Sequence, residues 1–88
     1  MANVWGLDVD AVRTLGQKLE HEAAAIDGIL KTLTSTLAST AWTGPDSVQF
    51  RNEWDSQHSV QLRNVAEALR TTSSAARRNA DEQERISQ

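Results

Sequence analysis

Two histidines, twelve carboxylates and nine basic side chains are what this 88-residue, cysteine-free chain brings to chemistry. A nucleophilic site needs a base within hydrogen-bond reach of the attacking group. His58 stands on an apolar stripe between Trp54 and Leu62, with Asp55 one helical turn back. It reads as a seam histidine bonded to Asp55 or to water. His21 lies beside Leu19 on a charged flank and reads as solvated. A metal site on a helix wants clustered ligands. His21 and Glu22 are adjacent and diverge, and no second His falls four residues away. Gly6, Gly16, Gly28 and Gly44 stand singly, so no glycine-rich loop is present to cradle phosphate. Arg77-Arg78 is followed by Asp81 and Glu82, and Arg78–Glu82 reads as an ordinary i,i+4 pair. We therefore expect no enzymatic activity, no cofactor and no bound metal.

The elements that carry these residues are helices. Trp5, Val12, Leu19, Ile26 and Leu33 are seven apart, with Leu15, Ala23, Ile29, Leu30 and Leu37 between them. That stripe is wider than a two-stranded seam needs. It predicts a first helix over about 9–40, capped by Asp8 or Asp10. After a break, Phe50, Trp54, His58, Leu62, Val65, Leu69, Thr72 and Ala76 step by three or four. They predict a second helix over about 46–80.

The break is "AWTGPD", a turn at about 41–45 that gathers Trp42, Gly44 and the single Pro of the chain. Pro suits the first turn of a helix, where its missing N–H is harmless. A continuous rod would carry Gly and Pro mid-helix at about 1 and 3 kcal/mol relative to Ala. A hairpin is therefore expected, with facing positions bringing Leu33 to Trp54, Ile26 to Leu62, Leu19 to Leu69 and Val12 to Ala75 or Ala76. In that register the tail, about 81–88, has little left to pack on and is expected to be loose. The whole of 1–88 is read as one domain, all-α.

Composition bounds the partners. A net charge of −3 and a pI near 5.2 disfavour nucleic acid and give no general attraction to anionic lipid, so a membrane would be met only transiently. So short a chain, with 39% hydrophobic residues, is expected to complete its core by association. The start, MANVWGLDVD, is acidic and lacks the apolar segment of a secretory signal peptide. The hairpin and dimer seam is assigned to Val12, Leu15, Leu19, Ile26, Leu30, Leu33, Leu37, Phe50, Trp54, Leu62, Val65 and Leu69. Trp54 is explained as a core anchor, and Trp5 as a staple or partner contact before the first helix. Trp42, at the tip, has one neighbouring layer to cover it. It is either a packed turn residue or an exposed recognition anchor.

Trp42-Thr43-Gly44, central in a helical chain of this length and followed by Phe50, Trp54, Leu62, Val65 and Leu69, resembles the W-x-G signature of the WXG hundred-residue superfamily. These are the ESAT-like small proteins of type VII (ESX) secretion. The resemblance covers nearly the whole chain. It implies a helical hairpin that pairs into a dimeric four-helix bundle, as a homodimer or with a second WXG-type protein. It further implies export without a signal peptide by an ATPase-driven machine of actinobacteria and related bacteria. The protein would be cytoplasmic before export and extracellular after it. By the same resemblance, Trp42 and Gly44 form half of an export signal. The other half is usually a Tyr four residues before an acid, and this chain has no Tyr. A partner's tail, or a variant built on Arg78, Asp81 and Glu82, would take its place. Outside the resemblance stand two other expectations: an intracellular helical adaptor, and a secreted effector that acts on membranes.

Overall fold

The computed structural model describes residues 8–87, and Trp5 lies outside them. Helix α1 runs Val9–Ser39. Its N-cap is Asp8, whose carboxylate accepts from the Ala11 N–H at 3.1 Å, one of the donors left orphaned at a helix start. The chain bends over 40–44. Helix α2 follows at Pro45–Glu53, then a π turn at Trp54–His58, then helix α3 at Ser59–Ser87. Glu53, Trp54 and Ser59 keep right-handed helical dihedrals, so the second arm is one rod with one widened turn. Among the described residues every regular element is helical.

The arms are antiparallel. Trp54 donates its indole N–H to Thr34 Oγ1 at 3.0 Å, and Ser73 Oγ donates to the Gly16 carbonyl at 2.7 Å. This register lies within two residues of the expected one. The second arm, about 64 Å long at 1.5 Å per residue, accounts for the 65 Å long axis of the molecule and outreaches α1.

The tail departs from expectation. It is helical to Ser87, and Ala80 and Gln83 are buried. Arg13 reaches across from α1 to Asp81 (2.6 Å) and Glu84 (2.7 Å), while Glu82 pairs with Arg85 within the tail. One long arginine thus extends the influence of α1 beyond its own length.

The seam between the arms also departs from expectation. On α1 the buried residues are Gly16, Ala23 and Leu30, each seven apart. Facing them on α3, Ser59, Ala66, Ser73 and Ala80 repeat the same interval, with Ala76 and Gln83 beside them. Small side chains let the two backbones approach closely. A Cβ on Gly16 would stand 3.3 Å from Arg77 Cγ and 3.4 Å from the Ser73 carbonyl oxygen. Of the residues expected in the seam, Leu30 and Trp54 are buried. Val12, Leu19, Ile26, Leu37, Leu62 and Leu69 are half-buried, and Leu15, Leu33, Phe50 and Val65 are exposed. Most of the large residues flank the contact because Gly16 and Ala23, beside them, give closer packing against Ala66 and Ser73, and Leu30 is the large α1 residue that stays inside.

Helical periodicity sorts the two edges of this seam. One edge of α1 carries Arg13, Glu20 and Asp27. It is latched to α3 by the Arg13 clamp and by Arg70, which pairs with Asp27 and lies 3.9 Å from Glu20. The other edge carries Leu15, Leu19, Ile26, Ile29 and Leu33 beside Leu62, Val65 and Leu69. Leu15, Ile29 and Val65 are each about half exposed.

Candidate functional site at the bend

Gly44 sets the bend. Its φ of 112° with ψ of 175° lies in a region essentially reserved for glycine. It is the N-cap of α2, and no side chain bonds the first N–H groups there. Its carbonyl accepts from Val48 N–H at 3.1 Å, and Pro45 occupies the first helical position. A Cβ at residue 44 would meet no atom within 4 Å, so the requirement for glycine is conformational rather than spatial.

Trp42 follows a tight i→i+2 turn, its N–H donating to Thr40 O at 2.9 Å. The residue is 41% exposed. The ring lies 6.3 Å from Phe50, which in turn lies 6.4 Å from Trp54 and 6.3 Å from His58. An aromatic row thus begins in the open at Trp42 and ends in the buried seam at Trp54.

Two residues not singled out from the sequence hold the bend closed. Ser47, 2% exposed, donates Oγ–H to the Trp42 carbonyl at 2.7 Å. Arg51 donates Nε–H to Ser47 Oγ (2.9 Å), Nη1–H to Leu37 O, and Nη2–H to Thr40 O (3.1 Å) and Trp42 O (3.4 Å). Its Cζ is 6.0 Å from the Trp42 ring centroid, at the outer limit of a cation–π contact. The last carbonyls of a helix lack partners within it and carry the negative end of the dipole. The last turn of α1 has no basic residue of its own. Arg51 supplies the missing cation from across the bend. The polar end of α1, Thr36 to Thr40, and the absence of a cation there were the available signals.

The second helix was expected to be regular, and the structure instead widens one turn at Trp54–His58. Phe50, Trp54, His58 and Leu62 are four apart, and three such steps turn a face by about 120° in a straight α-helix. One widened turn absorbs an extra residue and takes most of that rotation back. It also creates an i,i+5 neighbour: His58 Nε2 stands 3.8 Å from Glu53 Oε2, rather than pairing with Asp55. His58 is half-buried beside Phe50. Among the described residues no cluster of three His, Asp or Glu could hold a metal, and no helix is long and apolar enough to cross a membrane.

At the far end, Arg78, Asp81 and Glu82 line a shallow depression with Asn79 and Arg85. Asp81 turns toward Arg13, and Glu82 pairs with Arg85 rather than with Arg78. With Glu84 as the larger contributor and Asp81 as the lesser, these bonds hold the Arg13 guanidinium above its ordinary pKa. Trp42 and Gly44 therefore lie at one end of the rod and these three residues at the other. No family model, curated protein or solved structure matches the chain.

Proposed function

We propose that this protein is a small substrate or export partner of a type VII secretion system. It works by pairing helix on helix and by displaying its W-x-G turn. The observation that carries the proposal is the bend. The Trp-x-Gly triplet lies at the reversal of the chain, Gly44 holds a backbone conformation reserved for glycine, and Trp42 is 41% exposed. The exposed flank of Leu15, Ile29, Leu33, Phe50 and Val65 supports the pairing half of the reading, because a second hairpin seated there would complete a four-helix bundle. The bend and the tail occupy opposite ends of the rod. A partner's tail can therefore stand beside this chain's bend only if the two hairpins run antiparallel. The membrane ATPase of the secretion machine would read that combined end.

The test is secretion of Trp42→Ala and Gly44→Ala in a strain with a working type VII machine, with circular dichroism confirming the fold. Both variants should vanish from the culture filtrate and remain in the cell. Normal secretion of both overturns the proposal.

A second reading is an intracellular adaptor that uses the same flank for a fixed partner. The tail favours it, since the chain has no Tyr and Asp81 is engaged by Arg13. That reading predicts no protein in the culture filtrate under any condition in which the secretion machine runs.

A further inference from the structure

We infer that Arg51 is a positioning residue for the bend, setting the direction of the Trp42 ring, so that the displayed element is Trp42, Gly44 and Arg51 together. The inference deepens the reading above and rests on it only for its secretion arm.

Among the described residues Arg51 is the one side chain whose bonds reach the last turn of α1, the bend and the first turn of α2 at once. Leu37 O lies on the first, Thr40 O and Trp42 O on the second and Ser47 Oγ on the third. Trp42 is gripped at two points. Its carbonyl accepts from Ser47 and from Arg51, and its ring stands 6.0 Å from Arg51 Cζ and 6.3 Å from the Phe50 ring. An exposed tryptophan after a turn would otherwise sample several rotamers, and a partner would have to immobilise it on binding. The planar guanidinium fork serves four acceptors in different directions. A lysine ammonium carries the same charge at a single point and cannot span them. Charge and geometry are thus separable by one substitution.

The experiment compares Arg51→Lys and Arg51→Ala with the unaltered chain. Indole N–H resonances are recorded by 15N NMR and assigned with Trp42→Phe. Trp54, bonded to Thr34 across the seam, serves as the internal control for the fold. We expect the Trp42 indole resonance to move or broaden in both variants while that of Trp54 stays in place. Amide exchange over 37–42 should quicken about tenfold on loss of the charge-assisted bonds. An unmoved Trp42 resonance in Arg51→Lys overturns the inference, as does displacement of Trp54 to the same extent as Trp42. In secretion, Arg51→Lys should fall with Trp42→Ala. If Trp42→Ala is retained in the cell and Arg51→Lys is exported normally, Arg51 is not part of what is displayed. If Trp42→Ala itself is exported normally, the secretion reading fails while the resonance and exchange results still decide the role of Arg51.

Discussion

The two halves of the hairpin are held together by opposite means. Toward the open end the buried positions are Gly16 and Ala23 on α1 and Ala66, Ser73, Ala76 and Ala80 on α3, and the backbones come close enough for Ser73 to bond the Gly16 carbonyl. Toward the bend, Leu30 and Trp54 fill the space, and the Trp54 indole bonds a side chain, Thr34, rather than backbone. The open half depends on the absence of volume and on long ion pairs along one edge. The bend half depends on one large ring and on the Arg51 fork. A close seam of small residues buries little apolar surface per residue, which leaves the larger apolar side chains on the flank.

Substitutions should divide along that line. The largest effect belongs to the bend half. Trp54→Ala removes the one large aromatic of the seam and orphans Thr34, and should cost about 3–5 kcal/mol in denaturant unfolding. Next comes the reverse change in the open half. Ala23→Leu forces a side chain into a site with 0% exposure and should cost about 1–3 kcal/mol. If Ala23→Leu were neutral, the open half would not be close-packed and the contrast would collapse. Gly44→Ala should cost about 1–3 kcal/mol through backbone strain alone, which thermal unfolding would register without any change in helical content. Ser73→Ala should cost about 1 kcal/mol, the worth of one hydrogen bond. The smallest effect on folding is expected for Leu15→Ser with Ile29→Ser. These exposed positions should leave unfolding of a dilute chain almost unchanged while lowering any self-association seen by light scattering. A large loss of monomer stability in that pair would mean the flank belongs to the hairpin itself.

Much of this was legible in residue order. An acidic cap at Asp8 or Asp10, the extent of α1 and the reversal around Gly44 and Pro45 follow from local signals, which act through neighbours a few residues away, and the structure chooses Asp8. The π turn was not expected, although in the spacing Phe50-Trp54-His58-Leu62 a step of four sustained three times does not fit a straight helix. Arg51 was not legible. Its acceptors, Leu37 O and Thr40 O, are 14 and 11 residues away, and nothing in a lone arginine on a polar face announces a cap for another helix. The loose tail was misjudged for the same reason, since Arg13 and Asp81 are 68 residues apart.

Residue order alone determined that the chain is helical and where it turns. Those properties depend on periodicity and on backbone dihedrals, which each segment carries with it. Tertiary structure decided which stripe of each helix meets the other. Apolar pattern favours the largest side chains, yet two rods pack most closely where the side chains are smallest. Gly16 and Ala23 therefore lie inside, with Leu30 closing the same stripe near the bend, and Leu15, Ile29 and Val65 are left outside.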